Sequence, residues 1–253
     1  MGKIVLWALA LLLAVCLGYV LFLTVAALLV DTTKTYTQDS PFYRRLLYGA
    51  TAIAIRLLHI RLEVSGLEKL PTEGRFLLVC NHRSNFDPIL TWQILKKQNL
   101  AFVSKPENFQ IPIFGRFIRR CCFLPIDRRN PRNALETIDA ASKLLEEDRV
   151  NIAIYPEGTR SKACTLLPFH NGVFKIAKKA GVPIAVAAIQ GTEAIHKNWY
   201  RKKTTVRFEI LETVPAPFVS ASRTAAIGQR VREDLDRALT EKGDSYGKLY
   251  GTL

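Results

Sequence analysis

The chain has 253 residues, with 36 Lys and Arg against 22 Asp and Glu, for a formal charge of +14. That length suits one domain with a core of its own plus an attachment, and the charge favours anionic partners: nucleic acid, an anionic membrane surface or a phosphorylated substrate. The five cysteines, Cys16, Cys80, Cys121, Cys122 and Cys164, are odd in number and fit no zinc spacing, which argues against a disulfide framework and for a reduced, cytoplasmic setting.

Residues 4–30 carry no charge. At ~1.5 Å per residue they make a helix of about 40 Å, longer than the ~30 Å hydrocarbon core of a bilayer. It can span with tilt, or insert deeply and bend. A signal peptide has a shorter apolar region and a small-x-small cleavage site, and neither is present here. Only Lys3 precedes the run, whereas Lys34, Arg44, Arg45, Arg56 and Arg61 follow it. If the segment spans, this bias places the rest of the chain in the cytoplasm. Ser40-Pro41 then reads as a helix start. Phe42, Leu46, Ile53, Leu57 and Ile60 recur at helical spacing, interrupted by Arg44, Arg45 and Arg56. One reading is an amphipathic helix at the membrane interface with its arginines near lipid phosphates. The other is a core helix of the globular part.

From residue 61 the pattern alternates. Apolar runs at 76–80, 100–103, 123–126, 152–155 and 184–189 predict buried strands, and 204–214 alternates as a further strand. A helix follows Asn130-Pro131, with Leu135, Ile138, Ala141 and Leu145 on one side and Glu136, Asp139, Lys143 and Glu146 on another. Phe174, Ile176 and Ala177 belong to a shorter helix ending near Gly181. Ile227, Val231, Leu235 and Leu239 mark a C-terminal amphipathic helix, on which Glu233 and Arg237 have i,i+4 spacing. The expected fold is a layered α/β domain over 61–253, its central sheet mostly parallel and flanked by helices. Residues 1–60 form an N-terminal hydrophobic two-helix membrane element.

Two polar segments follow predicted strands, where ligands usually bind in α/β folds. The first is Asn81-His82-Arg83-Ser84-Asn85-Phe86-Asp87-Pro88. His82 is a general-base candidate, and Asp87, five positions on, can fold back onto its ring and fix the tautomer. Asp87-Pro88 also reads as an ordinary helix N-cap and first residue, with His82 merely hydrogen-bonded. The second segment is Pro156-Glu157-Gly158-Thr159-Arg160-Ser161. Its glycine permits a sharp turn, and its arginine presents a planar fork to a phosphate. Residues 96–132 hold Lys96, Lys97, Lys105, Arg116, Arg119, Arg120, Arg128, Arg129 and Arg132 against only Glu107 and Asp127. No known reading motif for nucleic acid accompanies them.

In this order and at this separation, the two segments resemble the glycerolipid acyltransferases, the family that includes 1-acyl-glycerol-3-phosphate acyltransferase. Asn81, His82 and Asp87 match its first motif, and Pro156 to Ser161 match its third residue for residue. Phe123-Leu124-Pro125-Ile126-Asp127-Arg128 is similar to its second, and Val182-Pro183-Ile184 to its fourth; the resemblance covers about residues 62–192. It implies acyl transfer from acyl-CoA or acyl-carrier protein to lysophosphatidic acid or a related lysolipid, with no cofactor and no metal; the alternative acceptors are glycerol 3-phosphate, another lysophospholipid or a lyso-aminolipid, and the rival reading is a non-catalytic basic membrane-binding protein. His82 and Asp87 would be catalytic. Lys105, Arg128 and Arg160 would hold the acceptor phosphate. Glu157, Gly158 and Thr159 form the motif turn, with Glu157 holding that turn or positioning an arginine. Bacterial members attach to membranes through a two-helix N-terminal element, which fits residues 1–60. Two departures, Cys121-Cys122 and Phe169-His170-Asn171-Gly172, fall where substrate is expected to sit and bear on acceptor identity.

Overall fold

The computed structural model describes residues 1–127, 130–199 and 202–250. In chain order the elements are α1 (Gly2–Leu28), α2 (Pro41–Leu57), β1 (Ile60–Ser65), β2 (Leu77–Cys80), α3 (Phe86–Ile94), β3 (Leu100–Ser104), α4 (Phe114–Arg120), β4 (Leu124–Pro125), α5 (Pro131–Glu146), β5 (Asn151–Ile154), α6 (Lys175–Ala180), β6 (Ile184–Gln190), α7 (Ile195–Asn198), β7 (Thr204–Val214), α8 (Ala216–Ala221) and α9 (Thr224–Tyr250). Among the described residues, seven strands form one sheet in the order β1-β7-β6-β2-β5-β3-β4. β7 runs antiparallel to β6, and the other neighbouring pairs are parallel.

The central strands are apolar at nearly every position because both faces of the sheet are covered. Successive side chains point to opposite faces. Leu77 and Val79 of β2 therefore join one cluster, with Ile138 and Leu145 of α5, Ile176 of α6 and Ile227, Val231 and Leu235 of α9. Leu78 and Cys80 join the other, with Tyr43 and Leu47 of α2, Leu90 and Trp92 of α3 and Phe117 of α4. Asn130 starts α5 by accepting from the backbone N–H of Arg132 and Asn133, satisfying donors that a helix leaves open. Gly181 ends α6 in the left-handed conformation, φ 64°, as helix C-termini commonly do.

Several expectations need correction. β1 is a strand that the pattern at 60–65 did not announce. It is an edge strand with a mixed burial pattern, so neither a clean alternation nor a buried run marks it. The expected strand at 123–126 shrinks to Leu124–Pro125, because Pro125 has no N–H to extend a ladder. Leu135 is exposed, and only the other three members of its predicted stripe are buried. Glu233 accepts from Gln229 and Arg237 reaches Asp234 at 3.9 Å, so the i,i+4 pair gives way to other partners.

Arg44 is not a lipid-facing residue. It is buried at 5% exposure, its Nε and Nη2 donate to both carboxylate oxygens of Asp39 at 2.7 and 2.8 Å, and its Nη1 donates to the Leu100 carbonyl at 2.9 Å. Truncating one partner of such a buried pair costs about 3–5 kcal/mol. Arg45 and Arg56 are the exposed arginines of α2.

Among the described residues, α1 alone is long and apolar enough to cross a membrane, and the apolar stretch that qualifies it is entirely exposed. Its end is different. Ala26, Ala27 and Val30 are buried with α2 and α4. Tyr43 donates to the Ala26 carbonyl at 2.9 Å, and Arg116 Nη1 donates to the carbonyls of Val30 at 3.1 Å and Ala27 at 3.3 Å. These bonds satisfy carbonyls that the helix terminus leaves open.

Candidate active site

β2 and β5 are neighbours, and the two polar segments leave their C-terminal ends side by side. Asn81 continues the β2–β6 contact with its side chain. Its Oδ1 accepts from Ile189 N at 2.8 Å, and its Nδ2 donates to Ile189 O at 2.9 Å. The chain then turns at His82, and α3 begins at Phe86 behind Asn85 rather than at an Asp87 N-cap. Asp87 thus sits in the first turn of α3, fully buried, with its carboxylate aimed back at the loop.

Asp87 Oδ2 accepts from the backbone N–H of Arg83 at 2.6 Å and of Ser84 at 2.7 Å. The same oxygen lies 2.8 Å from His82 Nδ1. An oxygen already accepting twice from backbone can only accept from the ring, so Nδ1 carries the proton and Nε2 is left as the acceptor. The His82 ring stacks on Tyr155, centroids 4.5 Å apart and planes 24° apart. Burial pushes the Tyr155 phenol well above its ordinary pKa, so it stays neutral beside the imidazole.

The second segment acts on the first through the backbone. Glu157 is buried; its Oε1 accepts from His82 N at 2.7 Å and its Oε2 from Leu167 N at 2.9 Å. Ser161 N donates to His82 O at 2.8 Å. Both backbone groups of His82 are therefore held by the 156–161 turn. Gly158 closes that turn by donating to the Tyr155 carbonyl at 3.0 Å, with φ 70°, a conformation glycine adopts without steric cost. Burial raises the Glu157 carboxyl above its ordinary value, against the two N–H donors that favour the carboxylate. Glu157 holds the turn and the His82 backbone, and among the described residues no arginine is bonded to it.

A cavity of about 570 Å³ opens on His82. Lys105, Gly158, Thr159 and Arg160 line it, with Asn85, Ser104 and Asn108. Thr51 of α2 lines it as well, and much of the rest is apolar and aromatic: Leu47 of α2, Ile89 and Trp92 of α3, Phe102 of β3, Ile111, Phe114, Phe123 and Tyr155. Lys105 and Arg160 are exposed, and neither has an acidic partner among the described residues. Arg128 lies outside the described residues. Cys121 and Cys122 are buried and do not line the cavity, although Phe123 beside them does, and Phe169 to Gly172 do not line it either. Among the described residues, no group of three or more His, Cys, Asp and Glu side chains is placed to hold a metal ion. Tyr155 and the apolar walls were not singled out from the sequence, although Tyr155 directly precedes the second segment.

The acyltransferase family profile matches residues 61–190, just over half of the chain. The chain belongs to the acyltransferase family. Among its relatives, a 1-acyl-sn-glycerol-3-phosphate acyltransferase of Salmonella typhimurium is 35% identical over 119 residues, 47% of this chain and 48% of that one. The coconut (Cocos nucifera) protein of the same name is 33% identical over 133 residues, 53% of this chain and 42% of that one. The bovine (Bos taurus) alpha form is 26% identical over 221 residues, 86% of this chain and 75% of that one. The chain thus spans about half the length of the first two relatives. The crystal structure of the Thermotoga maritima 1-acyl-sn-glycerophosphate acyltransferase PlsC superposes with a TM-score of 0.67 at 24% identity, covering 88% of each chain. It shares the fold of this acyltransferase: a mostly parallel sheet flanked by helices.

Proposed function

We propose that this acyltransferase moves a fatty acyl group from an acyl thioester to the free hydroxyl of 1-acyl-glycerol-3-phosphate, making phosphatidic acid. The observation that carries the reading is one cavity in which a carboxylate-oriented imidazole meets an aromatic and aliphatic wall and two cations that have no acidic partner among the described residues. Acyl chains fit the wall, and a phosphate fits Lys105 and Arg160. The names of the relatives support the acceptor.

In this mechanism His82 Nε2 takes the proton from the acceptor hydroxyl as its oxygen attacks the thioester carbonyl. The C–O bond forms, the C–S bond breaks, and the imidazolium returns its proton to the departing thiolate. Asp87 holds the ring and stabilises its charged form. A positioned base contributes about 10²–10⁴-fold, so fixing both substrates beside it supplies a large further share. We assign the donor to acyl-CoA or acyl-carrier protein. Residues 1–60 are read as the membrane attachment, residues 61–253 as the catalytic domain on the cytoplasmic side, and membrane lipid as the surrounding partner.

Mass spectrometry of the lipid made from lysophosphatidic acid with each donor tests this directly. Phosphatidic acid should form with one donor at least, and His82→Ala should abolish it while the protein stays folded. Near-normal turnover by that variant sinks the mechanism, and no product from lysophosphatidic acid with either donor sinks the acceptor. A sharper probe of the phosphate site is Arg160→Ala. It should weaken a phosphorylated acceptor by at least tenfold relative to an unphosphorylated one; equal loss on both would make Arg160 structural.

A further inference from the structure

Asp87 holds one edge of the His82 imidazole and nothing more, with Oδ2 at 2.8 Å from Nδ1. A single hydrogen bond leaves the ring free to swing about that contact, because the torsion that turns an imidazole has a broad minimum. The bonds from Glu157 and Ser161 fix the His82 backbone and not its side chain. A swinging ring carries Nε2 off the line to an acceptor hydroxyl, and such misalignment is costly in rate.

Tyr155 removes that freedom. Val79 of β2 lies opposite Ile154 of β5, so the next residue of β5, Tyr155, stands beside the end of β2. Its ring lies nearly parallel to the His82 ring, centroids 4.5 Å apart and planes 24° apart. The Tyr155 ring is itself held. Phe102 of β3 is near-parallel to it at 6.3 Å and 17°, and its hydroxyl donates to Thr91 Oγ1 of α3 at 3.4 Å. Both His82 and Tyr155 line the catalytic cavity. The edge of the imidazole is set by Asp87 and its face by Tyr155.

This contact prefers one charge state. An aromatic face carries the negative part of a quadrupole. It attracts a cation stacked on it, more strongly where water is excluded. A neutral imidazole gains only dispersion from the stack, whereas an imidazolium gains the quadrupole as well. With His82 as the base, the attraction therefore grows as the proton arrives, and an interaction stronger in the transition state than before it raises turnover.

We infer that Tyr155 is a positioning residue of the reaction, whose ring face orients the His82 imidazole and stabilises the imidazolium formed when Nε2 takes the acceptor's proton. The inference rests on His82 as the base, as in the function proposed above, and not on which donor or acceptor is used. The acting part is the ring face; the phenol oxygen is turned to Thr91.

The test withdraws charge from that face without changing its shape. Tyr155→Phe sets the baseline, and mono-, di- and trifluorinated phenylalanines at the same position form the series. The full chain in detergent is labelled at its four histidines and titrated by NMR, the His82 signal being the one missing from His82→Ala. The other ionisable groups near the ring stay in place throughout: Arg83, Asp87 of α3, Cys80 of β2, Glu157 of the turn, and Lys105 and Arg160 across the cavity. The His82 signal should titrate at lower pH with each added fluorine. Over the series kcat on micellar lysophosphatidic acid should fall in step by about tenfold, with KM for the acceptor unmoved. A side chain that only fills space gives a flat series, since packing is conserved. A flat titration overturns the inference, and so does a loss carried by KM alone. The titration needs no substrate, so it decides the role of Tyr155 even where no phosphatidic acid forms.

Discussion

Asp87 Oδ2 does three jobs at once, and its replacement separates them. In Asp87→Asn the amide oxygen can still accept from the Arg83 and Ser84 backbone and from the ring, but the ring loses its charged partner. Turnover should fall by about 10²–10⁴-fold, with KM for the acceptor little changed, because the phosphate contacts are untouched. A loss confined to KM would remove Asp87 from the chemistry. Glu157 gives a different result. Its two oxygens each accept from a backbone N–H, so Glu157→Gln must turn an amide NH₂ toward one of them. About 1–3 kcal/mol of stability should go with that mismatch, read as a lower melting temperature, and turnover should fall with it as His82 loses its backbone anchor. His82 and Asp87 were legible because their spacing sits at a strand end, where a turn folds one onto the other. The role of Glu157 was half legible: the sequence marks a turn, but nothing local shows that its carboxylate reaches 75 residues back to His82 N. Tyr155 was missed for the same reason, since its contact with His82 arises only when β2 and β5 lie side by side.

At the scale of elements, buried runs and helix caps were readable wherever the physics is local. β7 alternates along most of its length because one face is buried and the other only partly covered, and Asn130 at the start of α5 supplies the acceptor that caps that helix. β1 and the fate of Arg44 were not readable, because both depend on what packs across from them. The seam between α9 and β7 shows how such contacts are held. Arg230 donates to both oxygens of Glu212 at 2.9 Å, which lowers the Glu212 pKa. Burial and the neighbouring Glu212 carboxylate push Asp234 up to about 6 from 3.8, against the pull of Arg237 and Arg230. Asp234 therefore holds its proton more tightly in the folded chain. Its contribution to stability is present below about 3.8 and is lost as pH rises through about 6. In Asp234→Asn that loss is absent, so the variant's melting temperature should gain on the native one between about pH 4 and about pH 6 and keep a constant lead above that. A constant gap between about pH 4 and about pH 6 would mean the carboxyl is not perturbed. Gly115 tests another seam. An added Cβ would lie 2.4 Å from the Phe109 carbonyl oxygen, backbone that cannot step aside. Gly115→Ala should destabilise by about 1–3 kcal/mol and displace Phe114, a wall of the catalytic cavity.

For the whole molecule, the division at residue 60 read from composition describes charge and hydropathy better than it describes packing. α1 is exposed along the stretch that could cross a bilayer, yet its end shares a core with α2, α3 and α4. Ala26, Ala27 and Val30 are buried there, and Tyr43 and Arg116 spend their polar atoms on the carbonyls of Ala26, Ala27 and Val30. Composition could not reveal this, because a run of apolar residues looks the same whether lipid or protein covers it. Two truncations should therefore behave differently. Removing residues 1–22 takes only exposed apolar surface, so membrane attachment should weaken while the melting temperature stays within a few degrees. Removing residues 1–30 also strips three buried side chains and leaves the Tyr43 hydroxyl and the Arg116 guanidinium without their acceptors. Each unpaired polar group costs about 1–3 kcal/mol, on top of the lost burial. The longer deletion should thus melt well below the shorter one and lose activity, since α2 carries Leu47 and Thr51 of the catalytic cavity. Thermal unfolding of both truncations in the same detergent decides it. Equal melting temperatures would mean that the end of α1 belongs to the anchor alone.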